Sequence, residues 1–272
     1  MQTLIEKLRN GNRRALSRAI SHIENSSPET ENLLDSIYKH TGKAYRIGIT
    51  GPPGAGKSTL TNVLTKYYRN KNLKVGIIAV DPTSPFTGGA LLGDRVRMNQ
   101  IANDEGVFIR SMATRGSLGG LSQKAVDAAD VLDAAGFDTI IFETVGVGQS
   151  ELDIANAADT TLVVLVPESG DSIQAMKAGL MEIGDIFVMN KSDRPGADSA
   201  VMALQTILTL KKNIDPDWNA PIVKSIASEN KGIEEIVSKI EEHKYYLNEK
   251  EKLIKRRSES AKLRVKEIVH NS

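Results

Sequence analysis

Nine consecutive residues combine glycines, a lysine and two hydroxyl side chains in the spacing G-x-x-x-x-G-K-[ST], namely Gly51, Pro52, Pro53, Gly54, Ala55, Gly56, Lys57, Ser58 and Thr59. Glycines let a backbone curl until its N–H groups converge on phosphate oxygens, and a following helix adds partial positive charge at its N-terminus. The stretch follows an apolar run that ends at Thr50 and precedes a helical pattern from Leu60, which is the context this motif requires. It predicts a phosphate cradle in which Lys57 reaches the β- and γ-phosphates and Ser58 binds Mg²⁺.

A second motif has the spacing Asn-Lys-x-Asp and follows the apolar run Ile186-Phe187-Val188-Met189; its residues are Asn190, Lys191 and Asp193. We expect Asp193 to accept hydrogen bonds from the N1–H and the exocyclic amine of guanine. Adenine has no donor at those positions and would leave the carboxylate desolvated and unpaired. Lys191 would lay its stem along the ring, and Asn190 would support the loop. The motif is a weak signal alone, but downstream of a phosphate cradle it favours guanine over adenine.

A third candidate loop follows the last apolar run and contains Ile226, Ala227 and Ser228. Guanine-binding proteins usually carry Ser-Ala here, with backbone N–H groups near the guanine O6 atom, and Ile226 stands in place of that Ser. Backbone donors survive a change of side chain. We therefore expect this loop to contact the base as well.

Three carboxylates, Asp81, Asp94 and Glu143, lie in or after apolar runs at positions suited to hold Mg²⁺ or to sense a γ-phosphate. The simpler alternative is that they cap helix N-termini, a common use of carboxylates. The stretch Glu143 to Gly146 is similar to an Asp-x-x-Gly loop with Glu in place of Asp. Val147 then stands where many Ras-like GTPases carry the Gln that orients the attacking water, so intrinsic nucleotide hydrolysis is expected to be slow. Gln149 lies close by in the sequence and is a candidate substitute for that Gln.

Seven short apolar runs alternate with helical patterns, and their ends mark the positions of the motifs. Most are continuous rather than alternating, as in strands buried on both faces, and the helical stretches between them predict a parallel sheet with crossover helices in three layers. Ligand sites in such sheets lie at the carboxyl ends of the strands. The runs span residues 45–50, 74–80, 107–111, 139–143, 160–166, 185–190 and 222–225.

The chain divides into three predicted zones. Residues 1–43 read as a polar helical pair, residues 44–242 as the α/β domain, and residues 243–272 as a basic helix with a candidate apolar stripe at Ile254, Ala261, Val265 and Ile268. The glycine-rich loops 83–93, 114–121 and 144–150 are typical of segments that a nucleotide orders and releases.

Composition excludes several classes of site and of binding partner. The chain has 272 residues, a net charge of +1 and no cysteine, which excludes disulfides and thiolate metal sites and argues against a dedicated nucleic-acid binder. No apolar run is long enough to span a bilayer, so we expect a cytoplasmic protein, or a trimmed organelle protein, without membrane contact. The four histidines, His22, His40, His243 and His270, are scattered and suggest surface or capping roles, and Trp218 suggests packing.

Taken in order, the strings GPPGAGKST, VDPTSPFTGGALLGDRVRM, ATRGSLGGLS, ETVGVGQSE and NKSD resemble the MeaB/ArgK family over about residues 4–265. The resemblance implies a P-loop NTPase fold of the SIMIBI class, GTP and GDP as ligands with Mg²⁺, and GTP hydrolysis. By position, its nucleotide residues fall on the phosphate cradle, Asn190, Lys191, Asp193 and residues 226–228. Its switch carboxylates fall on Asp81, Asp94 and Glu143.

The resemblance also implies a partner, an adenosylcobalamin-dependent acyl-CoA mutase and chiefly methylmalonyl-CoA mutase. Family members couple GTP hydrolysis to loading of intact cofactor and help protect the mutase from inactivation. Family chains usually continue into a C-terminal segment used in dimerisation, whereas this sequence stops at Ser272 as a natural short form or a truncated sequence. A homodimer therefore stays open, as do two other functions, a kinase and a nucleotide-gated scaffold with negligible turnover.

Overall fold

The computed structural model describes residues 2–82, 101–114, 120–144, 150–169, 178–210 and 217–270. Each of the seven apolar runs forms a strand, so the predicted α/β class is confirmed. The strands lie in one sheet in the order β3-β2-β4-β1-β5-β6-β7. They are β1 (Tyr45–Thr50), β2 (Val75–Pro82), β3 (Val107–Thr114), β4 (Thr139–Thr144), β5 (Thr160–Leu165), β6 (Ile186–Met189) and β7 (Ile222–Lys224).

Neighbouring strands run parallel wherever their register is defined. Val75 of β2 pairs with Val107 of β3, Leu162 of β5 with Ile186 of β6, and Phe187 of β6 with Ile222 of β7. β1, β4, β5 and β6 are rich in Ile, Val, Leu and Phe and almost wholly buried, as expected for parallel strands covered on both faces.

The helices within the described ranges precede β1, alternate with the strands and close the chain. They are α1 (Gln2–Arg9), α2 (Arg13–Glu24), α3 (Thr30–Tyr38), α4 (Lys57–Asn70), α5 (Gly120–Ala134), α6 (Ser150–Ala157), α7 (Ala178–Ile183), α8 (Ala197–Leu210), α9 (Ile233–Glu249) and α10 (Lys252–His270). Short 3₁₀ turns cover Pro167–Ser169 and Ala227–Glu229. None of the helices in these ranges combines the length and the hydropathy that crossing a bilayer requires.

The chain folds as two compact units, the first comprising residues 1–47 and 65–143 and the second residues 48–64 and 144–272. The first unit begins with three helices where the sequence pattern predicted two. Gly11, with φ of 73°, interrupts the helical pattern, and the Asn12 side chain accepts the Ala15 N–H at 3.0 Å to start α2. The break lets Leu8 of α1 and Leu16 of α2 be fully buried.

A single buried carboxylate joins α5 to the segment that enters β1. Asp133 accepts the backbone N–H groups of Gly42, Lys43 and Ala44 at 2.7, 3.2 and 3.0 Å. Its residue is only 2% exposed. Three charge-assisted bonds to one carboxylate hold the chain rigidly ahead of β1.

The second unit has its own apolar core between β5, β6 and α8. Val163, Phe187 and Leu204 are fully buried there, with Leu165 and Met189 completing the cluster. Gly48 of β1 lies so close to α6 that an added Cβ would stand 2.8 Å from the side chain of Ile154. Packing of β1 on α6 and of β6 in this core fixes the two strands that lead into the loops described below.

The C-terminal helix α10 contacts the amino ends of β5 and β6 through ion pairs. Arg256 donates to both carboxylate oxygens of Asp185 at 3.0 Å, and Arg257 donates to Asp159 at 2.8 and 2.5 Å. Ile254, predicted to begin an apolar stripe, is 73% exposed. The amino end of α10 is therefore held by Arg–carboxylate pairs, while the side chain at the start of the proposed stripe faces solvent.

His243 lies inside this region, and its predicted surface or capping role is wrong. It is 1% exposed, and its Nδ1 shares a hydrogen bond of 2.8 Å with the Thr160 hydroxyl. The Trp218 ring lies 4.7 Å from its ring, and the Trp218 Nε1 donates to the Asp185 carbonyl at 2.9 Å. The packing role predicted for Trp218 is thus confirmed.

Candidate functional site

The glycine-rich loop connects β1 to α4 and takes a conformation that only glycine reaches easily at three positions, two of which are packed against neighbouring residues. Gly51 has φ of 135° and Gly56 has φ of 94°. A Cβ added at Gly51 would lie 2.1 Å from the Val164 carbonyl oxygen, and one at Gly56 would lie 2.4 Å from Nδ2 of Asn190. The loop is therefore pressed against β5 and against the Asn-Lys-x-Asp loop.

Among the described residues, the loop is open around Gly54. Gly54 has φ of 77°, and a Cβ built there meets no described atom within 4 Å. Gly54 and Pro53 are exposed, whereas Ala55 is buried. A loop that packs against the protein on one side and is accessible on the other can hold phosphate groups.

Lys57 begins α4 and turns back over the loop. Its residue is 6% exposed, and its Nζ donates to the carbonyls of Gly51 at 2.8 Å and Pro52 at 3.0 Å. These bonds hold the ammonium charge against the loop backbone. Ser58 and Thr59 follow in the first turn of α4, where backbone N–H groups have no acceptor within the helix. Ser58 is partly buried and Thr59 is exposed.

Asn190 connects three loops that are far apart in the sequence. Its Nδ2 donates to the Ala55 carbonyl at 2.8 Å, and its Oδ1 accepts the Ala227 N–H at 3.0 Å and the Ser225 hydroxyl at 3.2 Å. The residue is 2% exposed. The expected supporting role of Asn190 is thus a buried network that ties both predicted base loops to the glycine-rich loop.

Lys191 adds a second link to the glycine-rich loop. It takes a left-handed conformation with φ of 57°, and its Nζ donates to the Gly54 carbonyl at 2.8 Å. The Ser192 N–H donates to the Ser225 carbonyl at 3.1 Å. Residues 190–192 of this loop are therefore held by bonds to the two neighbouring loops.

Asp193 is exposed and faces a cation. Lys231 pairs with Glu229 at 2.7 Å, and that hydrogen bond is the main reason its pKa is raised, with the nearby charge of Asp193 acting in the same direction. An ionised carboxylate acts only as a hydrogen-bond acceptor, which is the form required to accept two N–H groups.

The loop at residues 226–231 is closed by its own backbone. The Ile226 N–H donates to the Lys231 carbonyl at 3.1 Å, and the Lys231 N–H returns to the Ile226 carbonyl at 3.2 Å. Because Asn190 takes the Ala227 N–H, two of the three amides predicted to face a base are already bonded within the protein. Ser228 is exposed in the following 3₁₀ turn.

Asp81 and Glu143 lie at the carboxyl ends of β2 and β4, which are neighbouring strands of the sheet. Glu143 is 4% exposed. The side chain of Asp81, and all of Asp94 and Gln149, lie outside the described residues, as do most of the three predicted switch loops. Their expected roles stay predictions.

One contact at the site has no counterpart in the sequence motifs. The Thr144 hydroxyl, directly after Glu143, donates to the Thr50 hydroxyl at 3.2 Å. Both residues are buried, and Thr50 immediately precedes Gly51. The two lie 94 residues apart, so neither spacing nor composition could have identified the pair.

Comparison with known proteins places this site in context. The family model described as methylmalonyl-CoA mutase-associated GTPase MeaB matches residues 16–272. A Pyrococcus abyssi protein that carries the provisional name of GTPase is 52% identical over 268 residues, which is 98% of this chain and 83% of that protein. The Escherichia coli GTPase ArgK is 39% identical over 239 residues, 85% of this chain and 72% of that protein.

A solved structure gives the same result at the level of the fold. The crystal structure of an LAO/AO transport system kinase superposes with a TM-score of 0.83 at 30% identity, covering 99% of this chain and 83% of that one. The predicted P-loop NTPase fold is therefore confirmed.

Proposed function

This chain belongs to the methylmalonyl-CoA mutase-associated GTPase family MeaB, and from that membership we propose that it is a GTP-driven switch that gates cofactor loading of an acyl-CoA mutase. The family relationship makes the chain a P-loop GTPase that binds guanine nucleotides. The client mutase, the cobalamin cofactor and the residues of the site are our assignments. The observation that carries the site residues is the Asn190 network, which joins the phosphate loop to both base loops, whereas the client rests on the family description.

Nucleotide binding follows from the two loops together. Backbone N–H groups of residues 51–56 and the first turn of α4 would surround the β-phosphate, with Lys57 reaching the β- and γ-phosphates. To do so, Lys57 must exchange its bonds to the Gly51 and Pro52 carbonyls for phosphate oxygens. The exchange costs little, because the ammonium is hydrogen-bonded in both states.

Guanine selection rests on Asp193 and on one backbone amide. Asp193 would accept the N1–H and the exocyclic amine, which adenine cannot supply in that arrangement. The backbone N–H groups of Ile226 and Ala227 already donate hydrogen bonds within the protein. We therefore assign the contact with the guanine O6 atom to the N–H of Ser228. Lys191, held over Gly54, would cover one face of the ring.

Hydrolysis needs negative charge to be stabilised as the bond to the γ-phosphate breaks. Lys57 and the loop amides would neutralise charge that develops on the β,γ-bridging oxygen. Mg²⁺, when bound, would add a second positive charge on the β- and γ-phosphates. The proposed metal and switch ligands are all oxygen donors of the kind that Mg²⁺ prefers, namely Ser58, Asp81, Asp94 and Glu143. Gln149 is the proposed water-orienting residue.

The proposed client follows from the family description, which names methylmalonyl-CoA mutase. A switch of this kind changes its loops between the GTP and GDP states and lets the partner read that difference. We propose that the partner is an adenosylcobalamin-dependent acyl-CoA mutase, with methylmalonyl-CoA mutase first among them. The GTPase would admit intact cofactor and protect the mutase.

A kinase is the second candidate, favoured by the description of the LAO/AO transport system kinase structure. A kinase would transfer the γ-phosphate to an acceptor, whereas a switch releases it as free phosphate. Measuring both products separates the two functions with one labelled nucleotide.

The test measures the release of phosphate from γ-labelled GTP and from γ-labelled ATP. Each nucleotide is assayed with and without the mutase and its cofactor. We expect slow, GTP-specific release that the mutase accelerates, with no label on protein or small molecules. Label on an acceptor would establish the kinase instead. GTP hydrolysis that no acyl-CoA mutase alters would refute the proposed client, and tight binding without release would indicate a scaffold.

A further inference from the structure

A cationic surface with one exposed aromatic ring lies at the end of the N-terminal helices. Helices α1, α2 and α3 are joined by short turns and pack on one another, and Arg9 at the end of α1 lies close enough to His40, just after α3, to affect its pKa. The residues at these two ends are Arg9, Tyr38, Lys39, His40 and Lys43. We name them the α1–α3 patch.

The patch is rigid. The Tyr38 carbonyl accepts the Thr41 hydroxyl at 2.8 Å and the Thr41 N–H at 3.1 Å. Asp133 holds the amides on either side of Lys43. A surface whose backbone is fixed before binding loses little conformational entropy when a partner docks.

The charges of the patch are all of one sign. The pKa of His40 is lowered, first by desolvation and then by the positive charges of Arg9, Lys39 and Lys43. A lowered pKa keeps this imidazole neutral near pH 7, so three cations remain. Cations at helix carboxyl ends also complement the helix dipole, which explains Arg9 and Lys39 in part.

The dipole does not explain Tyr38. Its neighbour Ile37 is 1% exposed, whereas Tyr38 is 79% exposed. Exposed Tyr and Arg side chains are the types most enriched at the energetic centres of protein interfaces. An exposed aromatic ring on a surface that also carries these cations therefore suits a protein surface that presents carboxylates around an apolar spot.

We propose that the α1–α3 patch docks an acidic surface of the partner protein. This inference rests on the proposed function for the identity of that partner, the mutase. Three cations are few for a nucleic-acid site, where affinity grows with the number of phosphates contacted. They are also few for a membrane site, which typically uses clusters of four to eight basic residues.

The experiment compares mutase-dependent GTP hydrolysis in three variants. Lys39→Glu/Lys43→Glu reverses two charges of the patch, and Tyr38→Ala removes the ring without changing charge. The control Lys71→Glu/Lys74→Glu reverses two exposed lysines near the start of β2. We expect both patch variants to keep basal hydrolysis but to need at least about tenfold more mutase for half-maximal acceleration, while the control behaves like wild type.

Equal acceleration of wild type and both patch variants would overturn the inference. Wild type that no mutase accelerates would instead refute the proposed client, so a second measurement decides the patch independently. Poly-L-glutamate, duplex DNA and phosphatidylserine vesicles are titrated onto each protein at low ionic strength. Binding of poly-L-glutamate that the patch variants alone lose supports the inference. Binding of DNA or vesicles through the patch, or no patch-dependent binding, overturns it.

Discussion

The side-chain amide of Asn190 donates a hydrogen bond of 2.8 Å to the backbone carbonyl of Ala55, a residue 135 positions earlier in the chain. With its oxygen, the same amide holds Ala227 and Ser225. The phosphate loop and the two base loops are thus linked through one buried side chain. Nucleotide affinity should therefore depend on this buried side chain as well as on the residues proposed to touch the nucleotide.

Asn190→Ala removes all three bonds and leaves the Ala227 amide without its acceptor. Buried unmet donors cost about 1–3 kcal/mol each, so we expect GTP and GDP affinity to fall together by about 100-fold. Fluorescent-nucleotide titration measures both. Ser192→Ala, in the same loop and partly buried, is the control, and equal losses in the two variants would contradict the role of Asn190.

Lys57→Ala removes the ammonium that is proposed to meet the γ-phosphate. The expected result is loss of GTP hydrolysis by about 100-fold or more, with the fold intact. Phosphate release gives the first quantity and circular dichroism the second. Undiminished turnover would refute the assigned site, and Lys66→Ala on the exposed side of α4 should keep wild-type rates.

Asp193→Asn exchanges an acceptor for a donor at the proposed guanine contact. Xanthine carries a carbonyl where guanine has its exocyclic amine, so the variant should prefer xanthine nucleotides. We expect GTP affinity to drop by about 100-fold while affinity for xanthosine triphosphate rises. Competition titrations measure the switch, and Asp198→Asn, exposed at the start of α8, controls for charge. Unchanged GTP affinity would show that Asp193 does not read the base.

Gly51→Ala and Gly54→Ala form a matched pair in the phosphate loop. The first places a Cβ 2.1 Å from the Val164 carbonyl, whereas the second meets no described atom within 4 Å. Gly54→Ala should cost about 1–2 kcal/mol of left-handed backbone strain. Gly51→Ala adds a backbone clash and should cost clearly more. Urea unfolding measures both, and equal costs would contradict the packing of this loop against β5.

Asp104 links stability to pH. The hydrogen bond from Arg69 is the main reason that the pKa of Asp104 lies below its ordinary value, and the Gly106 N–H acts in the same direction. The unfolded carboxyl titrates near 3.9, so the stabilisation is full above about pH 5 and is lost as pH falls through the lower folded value. Unfolding curves for Asp104→Asn should therefore show a shallower acid loss than wild type. Asp35→Asn, exposed on α3, is the control, and identical slopes for wild type and Asp104→Asn would contradict this linkage.

Much of the fold could be read from local patterns. Each of the seven apolar runs forms a strand because continuous Ile, Val and Leu stretches have to be buried on both faces. The order of strands in the sheet could not be read, since strand pairing depends on long-range contacts. The break at Gly11 was missed because the apolar spacing continues across it, although Gly11 takes a positive φ after α1 and the Asn12 side chain caps the start of α2.

The sequence by itself determined the glycine-rich loop and the guanine motif, because each is a short run whose chemistry depends on neighbouring residues. The order of several such runs determined the family. Only the tertiary structure decided what those runs contact. Asn190 meets Ala55, Thr144 meets Thr50, and His243 is buried against Thr160 because folding brings together side chains from separate elements. Spacing along a chain carries no information about such pairs, whereas close packing specifies them.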